Sequence, residues 1–136
     1  MSGVDAFFDS SVLLYLLSDD AEKAERVREL LVQRGSINVQ VLNEFSVVAL
    51  RKRSLSSSEL RSFLEILREL CATHPLTVET HERGLDILDR FGFSLYDSMI
   101  VAAAMQAGCR TLYSEDLQHG QFIDKRLRVI NPFADL

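Results

Sequence analysis

The chain has 136 residues, of which 47% are apolar and 26% charged, and its 15 Lys and Arg against 20 Asp and Glu leave a formal net charge of −5. That length suits one domain burying roughly two thirds of its unfolded surface, and no apolar run approaches the roughly 20 residues a membrane-spanning helix needs. The acidic balance argues against a broad nucleic-acid-coating surface, which is usually basic, but not against a nucleic-acid substrate.

Val4 to Phe8 reads as a short buried strand, and Ser10-Ser11 can cap a helix from Val12 to Leu17. Asp19-Asp20 can open a second helix, Ala21 to Gln33, whose Ala24, Val27, Leu30 and Leu31 recur at helical spacing until Gly35 stops it. Ser36 to Val39 reads as a strand and Gln40 to Lys52 as a helix carrying Glu44 in its first turns. After the polar break Ser54 to Ser58, the Ser56 and Glu59 pair has capping-box spacing and opens a helix to about Cys71. Pro75 ends that segment, and Leu76-Thr77-Val78 reads as a third strand. Thr80 to about Phe91 and the alanine-rich Ser94 to Gln106 are two further helices, the second ended by Gly108. Thr111 to Tyr113 is a fourth strand and Arg128 to Ile130 a fifth. Strands alternating with helices imply a three-layer α/β/α sandwich around a central, mostly parallel sheet, spanning residues 1–136 as a single domain. Cys71 and Cys109 stand without a CxxC or paired histidines, so they are expected as reduced core thiols, and with no basic leader the chain is expected in the cytoplasm.

Four acids sit where strands or helices begin or end: Asp9, Glu44, Asp97 and Asp116. A carboxylate in apolar sequence is costly to bury without a partner, and no basic residue stands beside the first three. In an open parallel sheet, sites form at the carboxyl ends of the strands, where the topology gathers these four. Shared binding of a divalent cation is the economical account. Mg²⁺ or Mn²⁺ suits an oxygen-only site, and such sites activate phosphodiesters for in-line hydrolysis.

Phe8-Asp9-Ser10-Ser11-Val12-Leu13, Asn43-Glu44, Tyr96-Asp97-Ser98-Met99-Ile100-Val101-Ala102-Ala103-Ala104 and Ser114-Glu115-Asp116-Leu117-Gln118-His119-Gly120 resemble, in order and spacing, the motifs of PIN-domain ribonucleases. The likeness is greatest to the VapC-type toxins of toxin–antitoxin pairs, and it covers essentially the whole chain. It implies a metal-dependent endoribonuclease acting on RNA, usually a homodimer, restrained by a small antitoxin that also binds DNA. Position by position, Asp9, Glu44 and Asp97 match the three regular acids, Asp116 the more variable fourth, and Ser114 a small hydroxyl residue that helps position water. Ser11 departs from the family pattern, where Asn is frequent. Glu115 adds an adjacent acid that leaves open which of the two faces the metal. Asp116 is favoured, since successive side chains on an extended backbone point opposite ways.

Each acid also has a plainer reading. Asp9 could cap a helix, Glu44 could be a solvated helix residue, Asp97 could complement a helix dipole, and Asp116 could belong to a surface turn. Arg51-Lys52-Arg53 could meet RNA phosphates or simply end a helix, and His119 reads as shaping its loop. A binding scaffold without catalysis is the competing function. A phosphatase resembling the haloacid dehalogenase type would want Asp where Ser11 stands.

Overall fold

The computed structural model describes residues 5–136, so Val4, where the expected first strand begins, lies outside the described residues. In chain order the elements are β1 (Ala6–Phe8), α1 (Ser10–Leu13) running into a 3₁₀ turn (Leu14–Leu17), α2 (Ala21–Val32), β2 (Gly35–Asn38), α3 (Val39–Lys52), α4 (Ser57–Leu70), β3 (Cys71–His74), α5 (Val78–Phe91), α6 (Leu95–Gln106), β4 (Thr111–Tyr113), β5 (Phe122–Ile123) and β6 (Leu127–Ile130). They build a six-stranded sheet of order β3-β2-β1-β4-β6-β5, parallel except for the β5–β6 hairpin. From β1 the chain steps outward to β2 and β3, then returns to lay β4 on the other side of β1. Right-handed crossovers put the helices of the two directions on opposite faces, which yields the expected three layers.

Local chemistry explains where the helices begin. The side chains of Asp20, Asn38, Thr77 and Ser94 each accept a backbone N–H in the first turn of the helix they precede. Ser56 and Glu59 form the reciprocal capping box expected from their spacing. β1 is buried throughout, as a central parallel strand covered on both faces must be. Helix α6 is buried from Ser98 to Ala104, all round its axis, which fits a helix pressed between sheet and neighbour. Both cysteines are free and buried.

The third strand lies elsewhere than expected. Cys71–His74 follows α4 with no intervening loop and pairs residue for residue with Gly35–Asn38. Leu76 and Val78 are instead exposed, and Thr77 caps α5. Four registered backbone pairs outweigh the β-branched composition of the later segment, a case of tertiary pairing overriding local propensity. Arg34, at φ 64°, rather than Gly35 makes the left-handed turn after α2. Gly35 has another reason to be glycine. It sits in β2 where a Cβ would fall 2.5 Å from the Phe8 ring and 2.9 Å from the Ala6 carbonyl oxygen. Residues Phe122–Ile123 add a short antiparallel strand that no sequence signal announced.

Gly35→Ala is therefore expected to destabilise the fold by about 1–3 kcal/mol, because the backbone carbonyl cannot withdraw. Gly84→Ala, whose Cβ would meet chiefly the movable Met99 thioether, is expected to cost less. Urea unfolding of the two variants checks this; equal losses would contradict the steric argument.

Candidate metal centre

β1 and β4 pair in parallel at the point where the strand order reverses, and the backbone N–H of Asp9 bonds to the Tyr113 carbonyl at 3.0 Å, prolonging that pairing by a residue. The carboxyl ends of these two strands bring Asp9 and the 114–116 segment side by side. Asp97 arrives from the first turn of α6, its own N–H bonded by the Ser94 hydroxyl at 3.2 Å. Carboxylate oxygens of Asp9, Asp97 and Asp116 lie within 4.8 Å of one another.

Asp9 occupies the position before α1, yet its side chain makes no cap hydrogen bond. The Ser114 hydroxyl donates to Asp9 Oδ2 at 2.8 Å and the Ser11 hydroxyl donates to the same atom at 3.1 Å. Each serine also accepts a backbone N–H: Ser114 from Asp116, two residues on in its own loop, and Ser11 from Glu115 across the site. Two hydroxyls thus tie the loop to the buried acid, and neither offers a positive charge. Asp9 is only 3% exposed, and burial pushes its carboxyl up to about 6, with the charges of Asp116 and Glu44 adding to the rise. Asp116 is raised by burial and by the charges of Asp97 and Glu115.

Glu44 stands beside this group rather than in it. The Ser10 hydroxyl donates to its Oε1 at 3.1 Å and the Gln40 amide to its Oε2 at 3.4 Å, while the same Gln40 nitrogen reaches the Tyr96 carbonyl at 3.2 Å. Burial raises its carboxyl, and the charges of Asp97 and Asp116 add to the rise, so it faces the same space. The Gln40 and Glu44 pairing is one helical turn long and could have been read from spacing. The Ser10 contact, across 34 residues, could not.

Of the adjacent acids, Asp116 joins the cluster and Glu115 turns away. The Tyr15 hydroxyl donates to Glu115 at 2.8 and 3.0 Å, and Lys23 Nζ lies 3.4 Å from the same carboxylate. Tyr15 in turn meets Phe133 edge to face at 4.8 Å. The 3₁₀ turn, α2 and the C-terminal segment thereby pin the residue next to Asp116, an arrangement without local sequence signal. Lys52 and Arg53 line a cleft with Ser11, Tyr15 and Glu115, whereas Arg51 is exposed outside it. His119 shapes its loop: its Nδ1 accepts the Asn131 N–H at 2.9 Å.

Among the described residues none of the ion pairs involves Asp9, Glu44, Asp97 or Asp116. Three converging carboxylates with hydroxyl support and no basic partner fit a hard divalent cation, for which oxygen donors are the natural set.

An α/β domain with an all-carboxylate cluster at its switch point is what the fold and the side chains define. The chain belongs to the PIN domain family, whose model matches residues 6–122. A search of curated protein sequences finds no match. Among solved structures, the chain is similar to a toxin–antitoxin complex from Klebsiella pneumoniae, at 18% identity and a TM-score of 0.71, covering 93% of this chain and 97% of that one. It is also similar to VapC20 of Mycobacterium tuberculosis, a toxin that cleaves the sarcin-ricin loop, at 18% identity and 0.66 over 82% and 89% of the two chains. FitAcB from Neisseria gonorrhoeae resembles it at 17% identity and 0.65, over 95% and 99%. At these identities the likeness concerns the fold.

Burial that favours the neutral Asp9 carboxyl has a sign that can be measured. Below about pH 3 the group is largely protonated whether the chain is folded or not. Between its unfolded value and about 6 only the folded chain keeps the proton, so metal-free stability falls across that window and the penalty persists above it. Asp9→Asn removes the titration. In EDTA its stability relative to the parent chain should rise by about 2 kcal/mol from pH 4 to pH 7. A gap that stays constant with pH would show that Asp9 is not strained by burial. A second expectation concerns the Glu115 anchor. Tyr15→Phe should weaken Mn²⁺ affinity by roughly 10-fold, the lower range for loss of an indirect support, with little change in thermal stability; isothermal titration calorimetry reads it, and unchanged affinity would remove Tyr15 from the site's support.

Proposed function

We propose that this chain is a metal-dependent endoribonuclease hydrolysing RNA phosphodiester bonds, acting in the cytoplasm as the toxin of a type II toxin–antitoxin pair. The observation that carries the reading is the meeting of Asp9, Asp97 and Asp116 within 4.8 Å in a chain of the PIN domain family. These three carboxylates would hold Mg²⁺, or Mn²⁺ in its place, with Glu44 at the margin. A divalent cation on such donors polarises a phosphodiester and makes water a competent nucleophile at neutral pH. Ser114 and Ser11 fix the orientation of Asp9 by bonding one of its oxygens, which leaves the other free of both hydroxyls. Glu44, its proton affinity raised by burial against the opposing pull of the Ser10 and Gln40 donors, would hold or accept a proton at the margin of the cluster. Lys52 and Arg53, beside Ser11, would meet flanking phosphates, with Arg51 a more distant contributor.

The antitoxin is the proposed protein partner, supported by the toxin–antitoxin complex among the structural neighbours. A groove of about 620 Å³ opens beside Glu44, walled by Val47, Val48, Leu76 and Tyr96, and gives such a partner an apolar seat. A homodimer belongs to the same reading. Among the described residues no helix is long and apolar enough to cross a membrane.

Incubating the purified protein with total RNA, with Mg²⁺ or with EDTA, tests the proposal. Cleavage should require the metal. Asp97→Asn should lower it by at least about 100-fold, since even indirect supports of a metal ligand cost 10–100-fold. Metal-independent cleavage, or full activity in Asp97→Asn, would refute it. If neither RNA cleavage nor any Mg²⁺- or Mn²⁺-dependent rise in Tm is seen, the scaffold reading stands instead.

A further inference from the structure

The opposite end of the sheet carries the reverse charge. Arg110, Lys125, Arg126 and Arg128 line one concavity of about 700 Å³ around the start of β4. All four are exposed, and among the described residues none of them is in an ion pair. Asp124, in the same β5–β6 turn, is committed to Arg90. Gathering four cations without a carboxylate partner costs repulsion, and in a chain of net charge −5 it is not a by-product of a basic composition.

The backbone builds this concavity. Arg128 is registered against Thr111 across the β4–β6 pairing and against Phe122 across the β5–β6 pairing. Phe122 is 51% exposed, and the Arg128 guanidinium lies 4.4 Å from its ring centroid. A cation layered on an exposed aromatic ring, inside a positive groove, is the surface chemistry that accepts single-stranded nucleic acid. The spacing to the other end is short. β4 has three residues, so about 10 Å of strand separates this concavity from the 114–116 segment.

We propose that this concavity is a second RNA-binding site, taking the phosphate backbone of the substrate at a distance from the bond that is cut. The inference rests on the nuclease reading only for the identity of the polyanion as substrate. It answers a problem which that reading raises: the carboxylate end repels RNA until metal is present, so docking needs attraction from elsewhere on the molecule. Charge complementarity selects a polyanion, and the exposed ring selects one with bases.

The test is binding of a labelled RNA of about 30 nucleotides, measured by fluorescence anisotropy in EDTA over a range of salt concentrations, with cleavage assayed separately in Mg²⁺. Each phosphate contact contributes about 0.7 to the slope of log affinity against log salt. The double variant Arg110→Ala/Arg128→Ala should therefore reduce the slope by about 1.4 and weaken binding at least 10-fold. Lys125→Ala/Arg126→Ala should behave alike, so that an unfolded variant in one pair, revealed by circular dichroism, leaves the other to decide. Arg110→Lys/Arg128→Lys, which keeps the charges, should retain the slope. In Mg²⁺ the alanine variants should raise KM for the long RNA and leave kcat unchanged. Unaltered affinity and slope in folded alanine variants would overturn the proposal, as would a loss confined to double-stranded DNA or to polyglutamate. Failure of the parent chain to cleave any RNA would sink the nuclease reading alone, because binding through this concavity is measured without catalysis.

Discussion

The repulsion among Asp9, Asp97 and Asp116 is the constraint around which the rest of the molecule is arranged. Two unit charges about 4 Å apart cost roughly 4 kcal/mol at an effective dielectric of 20. Here one member is 97% removed from solvent, its carboxyl lifted to about 6. A fold that only had to be stable would place asparagine or an apolar residue there. The structure instead spends two serine hydroxyls on one oxygen of Asp9 and a tyrosine, a lysine and a phenylalanine on steering Glu115. Strain kept by so many supports is characteristic of functional sites.

Sheet topology delivers the strain to one place. Because β4 returns to the far side of β1, two strand ends lie adjacent with their following loops free to face the same space. The backbone bond from Asp9 to Tyr113 and that from Ser114 to Ile130 carry the pairing one residue past each strand, so Asp9 and Ser114 are presented from the sheet edge and Asp116 from the bend that follows. α6 supplies the third acid from its first turn, just ahead of the stretch Ser98 to Ala104 whose burial fixes the helix that carries Asp97. Rigidity of the three supports, rather than attraction, holds the carboxylates together.

The alternation of strands and helices, the capping box at Ser56 and the meeting of acids at strand ends were legible in the sequence, because each follows from short-range pattern plus one rule of parallel sheets. Leu76-Thr77-Val78 misled because β-branched composition describes a preference, while the choice of Cys71–His74 depends on which segment can reach Gly35–Asn38 in register. The two-residue β5 was invisible for the same reason: its pairing with β6 is a property of the hairpin, with Asp124 and Lys125 both at φ 54°, and not of its composition. At the site, alternation along an extended backbone favoured Asp116 over Glu115, yet the chain bends at 115–117, and it is the Tyr15 and Lys23 contacts that hold Glu115 away. What alternation could not supply was the reason Glu115 is acidic at all, since its partner Tyr15 lies 100 residues away.

Glu115 also shows how like charges can be made to cooperate. Placed next to Asp116, it raises that carboxyl's hold on its proton. An alanine there would relieve the repulsion and lose the anchor. Tyr15 and Lys23 resolve the conflict by giving the glutamate a hydrogen-bond donor and a cation on the side away from the cluster. The Lys23 ammonium also sits 4.7 Å from the Tyr15 ring centroid and 5.3 Å from that of Phe133, so the positive charge is held against aromatic faces on the far side of Glu115. Were that charge to reach the cluster, Asp9 or Asp116 could be neutralised by an internal ion pair, and the demand for an external cation would vanish. Keeping a lysine near, bound to the neighbour and barred from the acids, is what allows the carboxylate group to be both well supported and still short of positive charge.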